Sequence, residues 1–128
     1  MSKFLHDDVL DLLVKGVADD GNKLFVCSTY PANYTEASST YMLAQHDMVV
    51  GSGNGDYLVQ NGDTNGRKVA VTAQATISVT NSGTAGHVAL CKSSGSKVLA
   101  VTICTTQALV AGNTVTVPTF DVEVADPV

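Results

Sequence analysis

The sequence has no tryptophan and few other aromatic residues, which argues against a sugar-binding role. The 128-residue chain contains four tyrosines and three phenylalanines, whereas carbohydrate-binding surfaces depend on exposed aromatic rings that pack against sugars. We therefore do not expect a lectin. Tyr30, Tyr34 and Tyr41 lie close together in a polar connection, where they either form a small contact patch or pack the loop.

Charged residues are also scarce, and the few positive charges are scattered. They make up 15% of the chain, and the net charge is −5, with only seven lysines and arginines in total. A protein that follows a nucleic-acid backbone needs a basic stripe, and the sequence shows none. Nucleic acid is therefore not expected as a partner.

Cysteine is rare and its count is odd. Cys27, Cys91 and Cys104 each lie in an apolar, strand-like run, so we expect buried, reduced thiols that label slowly and not a disulfide framework. The segment "MSKFLHDDVL" places two aspartates where a signal peptide is apolar, and no apolar run is long enough to cross a bilayer. We expect a protein made in a cytosol.

The histidines and the turn at Asn61 to Gly66 do not form metal or catalytic motifs. His6, His46 and His87 are isolated from one another and from cysteines, unlike zinc ligands. The turn Asn61 to Gly66 resembles the first half of a calcium loop, but Thr72 stands where an EF-hand needs an acidic residue. We predict no catalytic residue, no cofactor and no metal ion, and an enzyme remains only a distant alternative.

One helix is predicted, at about residues 5–18. Asp7 or Asp8 can cap its start, and Gly21 with Asn22 can end it. Its apolar residues recur at helical spacing. They are Leu5, Val9, Leu12, Leu13 and Val17.

The rest of the chain is rich in β-branched and turn-forming residues, which favours an all-β fold in one domain over residues 1–128. Residues 68–80 alternate between apolar and polar, which predicts one long strand or two strands bent near Gln74. "HVALC" and "KVLAVTIC" flank a turn at Ser93 to Ser96 and predict a hairpin. If the turn is Ser93 to Ser96 and the two strands pair without a bulge, Val88 and Leu90 lie on the same face as Leu99, Val101 and Ile103.

The last segment, "NTVTVPTFDVEV", changes its apolar parity at a proline. Val115 and Val117 precede Pro118, whereas Phe120, Val122 and Val124 follow it at even positions. Proline belongs at a strand edge or a bulge, and strands that bend between sheets form the corners of β-sandwiches. The two halves are therefore predicted to serve different sheets, or one sheet and a neighbouring molecule.

Several stretches together with the helix resemble small virion proteins of tailed bacteriophages, of the capsid cement or decoration kind. They are "LFVCSTYPANYTEA", "NGRKVAVTA", "HVALC", "KVLAVTICTTQA" and "LVAGNTVTVPTFDVEVADP". The resemblance implies a two-sheet, jelly-roll-like β-sandwich on the outer capsid surface, where it binds the major capsid protein and bridges capsomers. A tail or fibre module that binds a host surface ligand is the alternative.

The parity change also suggests which residues meet other chains. We expect a homo-oligomer, either a dimer or a trimer, or extensive contact with a capsid neighbour, because unpaired strand edges favour pairing between chains. Neither nucleic acid nor a membrane is expected as a partner. The predicted assembly contacts are Tyr30, Tyr34, Pro118, Phe120 and Val122.

Overall fold

The structure, a computed structural model, describes residues 6–125, which form several antiparallel sheets and an α-helix. The expected β-rich class with a helix near the start is confirmed. The helix is α1 (Asp7–Asp20), and a short π-helix spans Glu36–Thr40. The strands are β1 (Lys23–Cys27), β2 (Met42–Asp47), β3 (Tyr57–Asn61), β4 (Arg67–Val71), β5 (Gln74–Ser78), β6 (Gly83–Lys92), β7 (Lys97–Leu109), β8 (Thr114–Val117) and β9 (Phe120–Val124).

The ends of α1 are set by one unexpected residue and one expected residue. His6 is the N-cap, and its Nδ1 accepts a hydrogen bond from the Asp8 backbone N–H at 3.1 Å, so the cap is neither Asp7 nor Asp8. At the other end, the Gly21 N–H donates to the Val17 carbonyl at 2.8 Å. Gly21 thus ends the helix as its sequence position predicts.

The buried face of α1 differs from the predicted stripe. Val17 is buried as expected, but Val9, Leu12 and Leu13 are exposed, and Leu5 lies outside the described residues. The helix carries two apolar stripes, and the second one faces the sheets. Its members are Leu10, Val14, Val17 and Ala18.

The largest sheet has the strand order β2-β1-β6-β7, and its neighbouring strands are antiparallel. Its inner face contributes Leu24 and Val26 to the main core, which also contains residues of α1 and of the other sheets. Its outer face carries Phe25 and Cys27, which pack with Ala37 of the π-helix segment. Both faces of the central strands are therefore covered, as their apolar residues require.

Two smaller sheets complete the fold and account for the parity change at Pro118. β8 pairs with β5 in a two-stranded sheet, whereas β9 pairs with β4 in a three-stranded sheet of order β3-β4-β9. Pro118 and Thr119 lie between the two ladders. The prediction that the two halves serve different sheets is confirmed.

Residues 68–80 form two strands that separate near Gln74, the second of the two predicted alternatives, and the two strands lie in different sheets. β4 ends at Val71, and β5 begins at Gln74, whose side chain is buried. Gln74 Nε2 donates to Asp56 Oδ1 at 3.0 Å and to the Thr72 carbonyl at 3.1 Å. Ala73 and Ala75 are exposed, so the apolar alternation does not continue through the break.

The β6–β7 hairpin forms around the predicted turn, but one bulge changes its faces. Leu90 lies opposite Ala100, and Cys91 lies opposite Val98, so Leu99 is an extra residue on β7. Beyond this bulge, Val88 is paired with Thr102. The face prediction therefore holds for Leu99, which packs against the main core together with Val88 and Leu90. It is wrong for Val101 and Ile103, because a β-bulge shifts the parity of every later residue. Val101 and Ile103 share the outer face with Ala89 and His87.

Among the described residues, no helix combines the length and the apolar character needed to cross a membrane.

Candidate functional site: a cleft bordered by three strand edges

Three strands meet around one cleft, and each is an edge strand of its own sheet. β7 ends the four-stranded sheet, β8 lies at an edge of the two-stranded sheet, and β9 ends the three-stranded sheet. Within residues 6–125, the free side of each strand has no ladder partner. Such edges present backbone N–H and C=O groups that can pair with another chain.

The cleft consists of three adjoining cavities of about 240, 270 and 250 Å³. Val88 of β6 is buried and lines all three, so it lies along the floor of the cleft. The walls come from β7 on one side and from β8 and β9 on the other. The apolar wall residues include Ala100, Cys104, Val115, Val117, Phe120 and Val122.

Some of these wall residues belong to the core but are not fully covered. Phe120 and Val122 are half-buried and pack against the main core cluster. If another apolar surface covers the exposed part of such a side chain, the free energy of the assembly is lowered. The cleft therefore leaves part of the main core exposed to solvent.

The cleft has almost no charge. No Asp, Glu, Lys, Arg or His occurs from Val98 to Phe120, the segment that forms most of β7 and all of β8. The acidic groups begin at the β9 end of the cleft, with Asp121 and Glu123. Lys68 Nζ donates to Asp121 Oδ2 at 3.0 Å, and Glu123 Oε1 accepts from the Asp63 N–H at 3.0 Å. Both acids are thus held by neighbouring elements.

A second surface feature, the tyrosine patch, lies on the outer face of the large sheet. We define it as Tyr30 and Tyr34 with their ring partners. The Tyr30 ring meets His87 edge-on at 5.9 Å, and the Tyr34 ring meets Phe25 edge-on at 6.0 Å. Tyr30 is 59% exposed.

The tyrosine patch borders β7 through His87. His87 is paired across the ladder with Ile103, which is 80% exposed although it is a large aliphatic residue. The buried Nδ1 of His87 has no hydrogen-bond partner in the described part of the chain. The patch therefore continues toward the free edge of β7.

The structure places the predicted contact residues in two groups on the two sides of β7. Tyr30 and Tyr34 belong to the tyrosine patch, whereas Pro118, Phe120 and Val122 line the cleft. The sequence-based reasoning missed Val88 and Ile103. The uncharged segment from Val98 to Phe120 was the available signal for this surface.

The three thiols differ in their surroundings. Cys27 and Cys91 are buried on the outer-face cluster, and burial raises the pKa of Cys27 to about 12 and that of Cys91 to about 11. Cys104 is half-buried and lines the cleft, and burial raises its pKa as well. No disulfide joins them. A raised pKa keeps a thiol protonated and weakens it as a nucleophile.

The turn that resembles half of a calcium loop is held by protein groups. The Gly62 N–H donates to the Gly66 carbonyl at 2.9 Å, and Asp63 accepts from Lys68 Nζ at 2.6 Å. Within the described ranges, no cluster of three or more His, Cys, Asp or Glu side chains has the arrangement needed to hold a metal ion.

Comparisons with known proteins provide no relative for this chain. No protein-family model, curated protein or solved structure matches it.

Proposed function

We propose that this protein is a structural virion protein of a tailed bacteriophage, of the capsid cement or decoration kind. It acts without catalysis, binds the major capsid protein on the outer surface of the capsid and bridges neighbouring capsomers. The observation that supports the proposal best is the cleft, where three strand edges and half-buried core residues face outward and the only charged lining residues are Asp121 and Glu123 of β9. Such a surface suits contact with other protein chains.

The proposal includes the two-layer, jelly-roll-like sandwich that the sequence resemblance implies. Leu24 and Val26 of the large sheet and Val69 and Val71 of the three-stranded sheet belong to one core cluster. Side chains from the inner faces of two sheets that meet in this way support a layered arrangement.

The tyrosine patch is the surface that we assign to the capsid. Tyrosine is enriched among the residues that dominate binding energy at protein interfaces, and Tyr30 combines an exposed ring with a fixed edge-on contact to His87. Each contact need only be modest. On a repeating lattice, linked copies act at high effective concentration, so weak contacts add up to stable attachment.

The experiment is co-sedimentation of the purified protein with capsid shells that lack it. We expect saturable binding to assembled shells and little binding to unassembled capsid protein. Tyr30→Ser should weaken the binding, whereas Leu12→Ser should leave it unchanged, because Leu12 is also exposed but lies on α1. The Leu12 variant thus controls for the general loss of an exposed apolar side chain.

Two outcomes would contradict the proposal. The first is a failure of the wild-type protein to join shells at any ratio. The second is selective binding to host cells or isolated surface glycans, which would support the tail or fibre module. If shells bind both variants equally, the virion role stands and the assignment of the tyrosine patch is wrong.

A further inference from the structure

We propose that the cleft is filled by a second copy of this chain, and that the two copies pair antiparallel through the free edges of their β7 strands. This inference rests on the proposed function only in using the same cleft as an assembly surface. It concerns the isolated protein and needs no capsid. It selects a two-fold dimer from the oligomers that the sequence allows.

The first support is the length and regularity of the free edge. β7 spans Lys97–Leu109, and its register against β6 is regular from Ala100 to Ile103. The β6–β7 ladder has a bulge on each side of this segment, so pairing with the second copy is limited to the residues near the segment. The regular segment contains no proline and no charged residue, the two devices that commonly protect an edge strand from pairing.

The second support is charge, and it identifies the occupant. Each chain has a net charge of −5, so two copies repel unless their contact avoids acidic side chains. The segment from Val98 to Phe120 contains no Asp, Glu, Lys, Arg or His and forms most of the cleft. Like-charged copies can therefore approach along β7 and β8 without opposing acids. The two acids at the β9 end of the cleft, Asp121 and Glu123, are already bonded to Lys68 Nζ and to the Asp63 N–H. A strongly basic partner would find no acidic residue on β7 or β8 to pair with.

The third support is the pairing that a two-fold axis produces. In an antiparallel ladder, opposite residues point to the same face, so a two-fold contact must be centred on a residue. Centred on Thr102, the ladder places Ile103 opposite Val101 of the second copy. This covers the 80%-exposed side chain of Ile103 with another aliphatic residue and places Thr102 opposite Thr102.

The geometry also covers the open core. A strand added to the free edge of β7 lies about 4.8 Å beyond it, on the side where Phe120 and Val122 form the opposite wall of the cleft. The contact is isologous, because each copy supplies the same edge and the same wall. Both half-buried walls are then covered at once.

The first measurement is light scattering of the purified protein without capsids. We expect twice the 13.2 kDa mass of one chain. Ile103→Lys and Ile103→Glu should both halve the measured mass, because each places a charge in the paired ladder. The two substitutions change the net charge in opposite directions, so the loss of the dimer in both variants is not explained by net charge. Leu12→Lys, on the exposed side of α1, should remain a dimer.

The second measurement tests the register with engineered cysteines in a Cys104→Ser background. Thr102→Cys should form an intermolecular disulfide on mild oxidation, because opposite Cα atoms lie about 4.5–5.5 Å apart in such a ladder, within the range of a disulfide. Thr106→Cys, on the same strand, should not. Its two copies would be offset by roughly 26 Å at about 3.3 Å per residue.

The outcomes are distinct. A wild-type monomer, a trimer, or a dimer that survives both Ile103 substitutions would overturn the inference. Cross-linking at Thr106 without cross-linking at Thr102 would overturn the register. A dimer that behaves as expected but never joins capsids would leave this inference standing and remove the proposed virion role.

Discussion

At the scale of single residues, burial separates three cysteines that look alike in the sequence. Cys27 and Cys91 are enclosed, whereas Cys104 is half-buried beside the cleft. The apolar runs around them predicted uniform protection. They could not show that β7 is an edge strand, because edge position depends on which strands pair, and pairing is a property of the whole chain.

We therefore predict ordered labelling of the thiols. In native protein near neutral pH, a maleimide reagent should modify Cys104 first, when the two copies of the proposed dimer separate and open the cleft, while Cys27 and Cys91 should react only in denaturant. In the folded protein, their pKa values, about 12 and about 11, also leave very little thiolate. Mass spectrometry of peptides from timed reactions gives the order. Early modification of Cys27 would contradict the prediction.

A second residue-scale prediction concerns Tyr57. Its ring is buried and its hydroxyl donates to the Gly21 carbonyl at 2.6 Å, while burial raises its pKa. Tyr57→Phe should lower the free energy of unfolding by about 1–2 kcal/mol, because the Gly21 carbonyl loses its partner. Tyr30→Phe is the control, since Tyr30 is exposed. Urea unfolding of both variants measures the difference, and equal stabilities would contradict the prediction.

At the scale of elements, the rotation of α1 was the least predictable feature. Both of its apolar stripes have helical spacing, and nothing local decides which one is buried. In the structure, Asp11 lies beside the buried stripe and accepts a hydrogen bond from Arg67 Nε of β4 at 2.6 Å. A contact between residues so far apart in sequence is invisible to periodicity.

This ion pair provides a prediction. Asp11→Asn should destabilise the protein by about 1–3 kcal/mol, because the largely buried guanidinium of Arg67 loses its charged acceptor. Asp19→Asn, on the exposed side of the same helix, should have little effect. Thermal unfolding at one pH compares the two. A similar melting temperature for both variants would show that the pair does not position α1.

Other elements were predicted because their signals are local. The turn at Ser93 to Ser96 and the parity change at Pro118 each depend on adjacent residues, and both appear as expected. The face assignment failed for Val101 and Ile103 because the bulge at Leu99 has no distinctive residue. The cleft could not be predicted either, because it depends on how three sheets are placed relative to one another.

At the scale of the whole molecule, the Pro118–Thr119 connection carries the chain from one sheet to another. Its length determines which residues of β9 face the core. Deleting Thr119 should place Asp121 and Glu123 on the core side in place of their apolar neighbours, and a buried, unpaired charge is strongly unfavourable. We expect loss of cooperative unfolding in circular dichroism.

The matched control keeps the residue count. Pro118→Ala preserves the parity of β9 at an exposed position, so the free energy of unfolding should change by less than about 1 kcal/mol. If the deletion variant unfolds as cooperatively as Pro118→Ala, then the length of the Pro118–Thr119 connection does not determine which residues of β9 face the core.

The same connection has a mechanical consequence. β9 pairs with β4 from Val71–Phe120 to Arg67–Val124, and only Pro118 and Thr119 separate this ladder from the β8 ladder. A force applied along β9 at Val124 loads all of its hydrogen bonds together, in shear, whereas a sideways force breaks them one pair at a time. In either case the β9 ladder fails before tension reaches β8. The last strand can therefore be peeled away while the β5–β8 ladder stays intact.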